Sequence, residues 1–153
     1  ITFQLSVSEE NKSTPTLLAH RDMHVLIVDD NKINLLITKK NIEKIAGYSC
    51  QTISNGREAI SLVKDKDFDL ILMDINMPDM DGYEVTKHIR MFNPYIPILA
   101  LTALNSSEIS AKAEASGINQ IITKPYIFED FKAIILSYRA MYNQCNIIDA
   151  EAI

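Results

Sequence analysis

The chain has 153 residues, 47% of them hydrophobic and 23% charged, with no low-complexity stretch, which suits one globular domain able to bury a full core. A formal net charge of -5 and a pI of about 5.1 argue against a broad basic patch, so no nucleic-acid partner is expected. No apolar string approaches the roughly 20 residues that span a bilayer, no signal pattern opens the chain, and Cys50 and Cys145 lack CxxC or His-rich company; the expectation is a soluble, cytoplasmic segment without membrane contact, disulfide framework or zinc site.

In chain order, Ile1 to Asp22 fall outside any regular repeat: "ITFQLSV" alternates as an exposed strand would, and "SEENKSTPT" reads as a linker. The string "HVLIV", ending at Val28, predicts a first strand, followed by a helix from Lys32 to Ala46 closed by Gly47. "CQTI", ending at Ile53, predicts the second strand; the next helix runs from Gly56 to Lys64, opened by Asn55 with Glu58 three residues on. "LILM" to Met73, a helix from Tyr83 to Met91, and "PILAL" to Leu101 continue the alternation. A helix from Ser106 to Ser116 is opened by Asn105 with Glu108 and closed by Gly117; "QIIT" then ends at Thr123. A last helix starts near Phe128, with Phe128, Phe131, Ile135, Tyr138 and Tyr142 on one stripe, and the tail from Asn143 to Ile153 carries no assignment. The five strings are rich in β-branched residues, and each reads as a strand buried on both faces. Strict alternation with helices predicts a doubly wound (βα)5 α/β fold with a parallel five-stranded sheet.

In such a sheet ligands bind beyond the carboxyl ends of the strands. Strand one ends in Asp29 and Asp30, strand three in Asp74, strand four in Thr102, and strand five in Lys124 followed by Pro125. Taken singly, each could be a helix cap, a turn residue or a surface charge. Together they place three carboxylates on one rim, where they repel one another and raise one another's pKa unless a cation neutralises them. Oxygen donors without His or Cys nearby suit Mg²⁺, with Mn²⁺ as a substitute. An ionised carboxylate beside that cation can attack phosphorus, and Lys124 and Thr102 supply the ammonium and hydroxyl that phosphoryl transfer needs for charge neutralisation.

Four linked motifs, "LIVDDN" from Leu26 to Asn31, "LILMDINMPDMDG" from Leu70 to Gly82, "ALTA" from Ala100 to Ala103 and "TKPY" from Thr123 to Tyr126, resemble the receiver domain of two-component response regulators over about His24 to Tyr142. The resemblance implies a flavodoxin-like, CheY-like architecture. It also implies a Mg²⁺-dependent transfer of a phosphoryl group from a phosphohistidine donor onto Asp74. By the same resemblance Asp30 and Asp74 bind the metal by carboxylate, Asn76 through its main-chain carbonyl and Asp29 largely through water. Thr102 contacts the phosphoryl group in the active state, Lys124 pairs with it, and the Lys124-Pro125 bond is cis. Such a domain promotes its own phosphorylation and dephosphorylation without being a turnover enzyme. One position departs from the pattern: many receivers carry a Tyr or Phe three residues before the lysine, where this chain has Ile121.

"ITFQLSV" is similar to the closing strand of a histidine kinase ATP-binding domain, and "VDDNKIN" from Val28 to Asn34 fits the "VDDNxxN" string common in hybrid sensor kinases. The expected organisation is therefore the end of a preceding domain plus linker over 1–22, a receiver over 23–142 and a tail over 143–153. The parent would be a hybrid histidine kinase, and the partners its dimerisation domain and a histidine phosphotransfer protein; the alternatives are a stand-alone regulator and a degenerate receiver that only binds protein. An aspartate-nucleophile phosphatase or mutase would need a second acid where Asn76 stands, and a flavin module would want a Ser/Thr/Gly-rich loop in place of Asp29 and Asp30. His88 reads as a solvated helix residue, and His20 and His24 lack metal-ligand partners at helical spacing.

Overall fold

The computed structural model describes residues 22–139; the expected preceding-domain strand, almost all of the linker, Tyr142 and the tail lie outside the described residues. Five parallel strands form one sheet in the order β2-β1-β3-β4-β5, with β1 at Met23–Val28, β2 at Tyr48–Ile53, β3 at Leu70–Asp74, β4 at Ile98–Thr102 and β5 at Gln120–Thr123. The connecting helices are α1 (Lys32–Glu43), α2 (Gly56–Asp65), α3 (Gly82–Phe92) and α4 (Ser107–Ser116). A final helical stretch, α5, covers 128–139. Among the described residues no helix is long and apolar enough to cross a membrane.

The alternation of side chains along each strand divides the core in two. Val25, Ile27, Leu70, Leu72, Leu99 and Leu101 join Leu35 and Ile42 of α1 and Phe131 and Ile135 of α5 on one face. Leu26, Val28, Ile71, Met73, Ile98 and Ala100 meet Ala59, Val63, Val85, Ile89 and Ala113 of α2, α3 and α4 on the other. The expectation of burial on both faces holds for β3 and β4, whose every residue is buried, and for all of β1 but His24. It fails for β2 and β5, which are the sheet edges: in β5 only Ile122 is fully covered.

Two helix ends also differ from expectation. α1 stops at Glu43 because the Ile45 amide turns to the Ile42 carbonyl, a tighter three-residue bond, and the chain leaves through Gly47 at φ 82°. α4 is capped by Ser106, whose hydroxyl accepts from the Ile109 amide, so Asn105 lies one residue outside and meets Ser110 instead. Asn55 and Gly117 cap α2 and α4 as read from the sequence.

Gly82 decides how closely α3 approaches the sheet. Its amide donates to the Ile75 carbonyl at 3.0 Å, and a Cβ there would lie 2.4 Å from the Asp74 carbonyl oxygen and 3.0 Å from the Ile75 Cα. Both obstacles are backbone and have no rotamer to change. Gly82→Ala is therefore expected to destabilise the domain by about 1–3 kcal/mol, the ordinary range for overpacking, as a lowered urea midpoint at unchanged slope. An unchanged midpoint would show that α3 can back away without loss.

Candidate functional site

Hydrogen bonding of the parallel ladder sets the strand ends level, so residues distant in sequence meet on one rim. The Asp29 amide continues the ladder to the Ile53 carbonyl at 3.2 Å, the Ile75 amide reaches Leu101 at 3.4 Å, and the Lys124 amide reaches Thr102 at 2.7 Å. Asp29 is 1% exposed, Asp74 6% and Thr102 2%, whereas Asp30 is exposed. One carboxylate oxygen from each of Asp29, Asp30 and Asp74 lies within 4.8 Å of the others.

Lys124 enters this group from β5, its Nζ 3.6 Å from Asp74 Oδ1 and 3.9 Å from Asp29 Oδ2. Those distances make ion pairs, not hydrogen bonds. Asp29 Oδ1 accepts from the Asn31 amide at 2.9 Å, but the buried Asp29 Oδ2 accepts no hydrogen bond. Burial, the Asp29 charge and then Asp30 push the Asp74 carboxyl up to about 6 against the pull of Lys124. Burial likewise raises Asp29, opposed by the Asn31 amide and Lys124. A single ammonium does not offset three carboxylates, and an orphaned buried oxygen facing two other oxygen donors suits a hard divalent cation.

The β3–α3 loop closes over this rim. Met77 and Met80 amides turn back to the Ile75 and Pro78 carbonyls, and Asp79 sits at φ 70°, a left-handed conformation that Asp tolerates better than most residues. Asn76 is exposed at the start of the loop. Asp81 caps α3 through the Glu84 amide at 2.9 Å. Thr102 Oγ1 accepts from the Leu104 amide at 3.2 Å, a bond that leaves the hydroxyl proton for another acceptor. The Lys124-Pro125 bond is cis, as the resemblance implies.

Asp29, Asp30, Asp74, Thr102 and Lys124 thus lie at the carboxyl ends of the strands, while Asn76 is in the loop beyond β3. Three further features were missed. Asn31 caps α1 through the Ile33 and Asn34 amides while its own amide holds Asp29, a double duty hinted at only by its place before an apolar periodic run. Arg57 pairs with Asp79 at 3.1 Å across the loop, and nothing in sequence links positions so far apart. Around the rim Ile33, Ile37, Leu104 and Ile127 are more than half exposed. Ile37 also lines a groove of about 460 Å³ together with Asn34, Thr38, Asn41, Lys124 and Tyr126. The signal was available, since Ile33 and Ile37 stand off the Leu35–Ile42 core stripe of α1.

Comparison with known proteins bears on this geometry. A family model described as the response regulator receiver domain matches residues 25–136. The sensor histidine kinase RcsC of Escherichia coli K12 is 32% identical over 117 residues, which are 76% of this chain and 12% of that kinase, so the chain spans only a small part of that relative's length. The chemotaxis protein CheY4 of Vibrio cholerae superposes with a TM-score of 0.72 at 32% identity, covering 76% of this chain and 98% of that one. The receiver domain of sensor histidine kinase PA1611 from Pseudomonas aeruginosa PAO1, solved with magnesium coordinated in its active-site cleft, gives a TM-score of 0.71 at 26% identity over 78% of this chain and 98% of its own. The chain belongs to the response regulator receiver domain family of two-component signalling.

Proposed function

We propose that this receiver accepts a phosphoryl group from a phosphohistidine onto Asp74 in a Mg²⁺-dependent reaction and acts within a phosphorelay as part of a hybrid histidine kinase in the cytoplasm. The observation that carries the reading is the buried Asp29–Asp74 pair sharing the Lys124 ammonium at the end of the central strands. Asp29, Asp30, Asp74 and the Asn76 carbonyl would hold the metal, with Mn²⁺ as a substitute. Bound there, the cation supplies positive charge that keeps the carboxylates ionised and screens the incoming phosphoryl oxygens.

The chain's own groups do the rest. An Asp74 carboxylate oxygen attacks phosphorus, the new P–O bond forms as the P–N bond to the donor imidazole breaks, and the leaving nitrogen keeps the electron pair. Burial on β3 keeps Asp74 in one position, which transfer through a loose transition state requires. The Lys124 ammonium pairs with the phosphoryl oxygens, and the Thr102 hydroxyl donates to one of them. The exposed apolar rim of Ile33, Ile37, Leu104 and Ile127 supports a protein donor, a kinase dimerisation domain or phosphotransfer protein, over a small anion that would gain nothing from it. The likeness to RcsC and the strand-like "ITFQLSV" at 1–7 support the hybrid-kinase setting.

Phosphotransfer from a labelled phosphohistidine protein tests the assignment. Asp74→Asn should take up no label, and Lys124→Ala should keep its fold while losing at least about ten-fold in phosphorylation or in its structural response, the scale set by removing one charged stabiliser. Label retained at the wild-type rate on the Asp74→Asn chain rules out Asp74 as acceptor.

The charge balance gives a second test. An unfolded aspartate titrates near 4 and Asp74 in the fold at about 6. Between those values the folded chain keeps a proton that the unfolded chain has released. Stability therefore falls as pH rises from about 4 to about 6 and stays lower above that. Metal-free Asp74→Asn should thus be more stable than wild type at pH 7.5, by about 2 kcal/mol, with the gain vanishing towards pH 4. Mg²⁺ should raise the melting temperature of wild type more than that of the variant. Equal metal-free stabilities at pH 7.5 would contradict the buried-charge account.

A further inference from the structure

Phosphorylation must be felt beyond the rim, and at position 121, where the receiver resemblance implies a ring, stands the β-branched Ile121. Another aromatic stands at the start of α3, in the segment that leaves Asp74. Tyr83 directly follows Gly82, whose backbone lies against the Asp74 carbonyl, so any shift at the end of β3 reaches Tyr83 through one peptide unit. Tyr83 is 7% exposed and packs in the same cluster as Met73, Ile75, Ala113 and Ile118, which spans from β3 to α4. Over the Tyr83 ring, 5.0 Å from its centroid, sits the Lys112 ammonium of α4. Asp81 caps α3 two residues before Tyr83, and Glu108 lies in the first turn of α4.

α4 itself is weakly seated. Only Ala113 and Ser116 are fully buried along its length. Its carboxyl end is pinned: Arg90 of α3 donates from Nε to the Gly117 carbonyl and from Nη2 to Asn119 Oδ1, each at 2.9 Å. Its amino end follows the 103–106 loop that leaves Thr102. α4 is thus pinned at one end and follows the loop from Thr102 at the other, and the Tyr83–Lys112 contact lies midway along it.

We infer that Tyr83 and Lys112 form a clamp that holds α4 against α3 in the unphosphorylated domain, and that its release transmits phosphorylation to α4 in place of an inward-turning ring at position 121. The inference rests on Asp74 as the phosphoacceptor. Because the clamp favours the unphosphorylated arrangement, removing it must make the site easier to engage, a linkage that a merely structural contact would not produce.

Amide hydrogen exchange and beryllofluoride titration with Mg²⁺, followed by amide NMR on the 153-residue chain, test it with Tyr83→Leu, Tyr83→Phe and Lys112→Met. In the ligand-free Tyr83→Leu and Lys112→Met chains, α4 amides should exchange about three-fold faster or more than in wild type. Their apparent Kd for beryllofluoride should fall about two- to five-fold, the equivalent of one partly exposed cation–π contact. Tyr83→Phe keeps the ring and should match wild type in both. Lys112 is exposed, so its variant keeps the test alive if Tyr83→Leu does not fold. Unchanged α4 exchange in ligand-free Lys112→Met, or an affinity for beryllofluoride that stays level or weakens, overturns the clamp. The phosphoacceptor reading fails separately, on a wild-type chain whose Asp74 and Thr102 amides do not respond to beryllofluoride at all.

Discussion

Asp29 and Asp74 bury like charges side by side, at the end of a parallel sheet where water screens little, and share the single ammonium of Lys124. Repulsion between such groups is far stronger than on a wet surface, and it can be relieved only by a proton, a cation or separation. Separation is barred by the ladder, because β1 and β3 are paired from Val25–Leu70 to Val28–Met73 and both strand ends are fixed by that register. The domain therefore keeps a site whose like charges are unfavourable until a proton or a cation offsets them. Binding free energy is thereby available for conformational change.

The surroundings of the site differ in stiffness accordingly. β1, β3 and β4 are buried strands with no freedom to yield, and Gly82 lets α3 press directly on the Asp74 carbonyl. The β3–α3 loop is steadied by its own tight turns and by the Arg57–Asp79 pair, though both partners of that pair are well exposed and its contribution is small. α4 is held less firmly: its two fully buried residues are the small Ala113 and Ser116, and its attachment lies at the carboxyl end. If the proposed clamp holds, a change of charge at Asp74 that the buried strands cannot absorb would be taken up by α4.

Most of the architecture was legible in the sequence because the periods are clean. The strings ending at Met73 and Leu101 are unbroken and apolar, as strands covered on both faces must be, and Asn55 and Gly117 mark helix ends by chemistry that has few other uses. The same rule misled at "CQTI" and "QIIT": a short apolar string does not say whether a strand is central or at an edge, since that depends on sheet order. The rim residues could be named from strand ends alone, because parallel strands bring all their carboxyl ends to one side. What stayed hidden depends on pairs far apart in the chain, such as Arg57 with Asp79, Lys112 with Tyr83 and Arg90 with Asn119. Such contacts follow from helix packing and leave no trace in local pattern.

The two core clusters also divide the work around Asp74. α1 and α5 cover one face of the sheet, and the exposed Ile37 of α1 shares a groove with Lys124. α3 and α4 cover the other, where Tyr83 and Lys112 meet. A protein donor docking over α1 would therefore leave the α3–α4 face uncovered, and a rearranged α4 would not disturb the donor's seat. Asp74 ends the strand between them, so the alternation of side chains that splits the core also leaves its carboxylate on the rim with Asp29 and Lys124 while its own backbone bears on Gly82 at the start of α3.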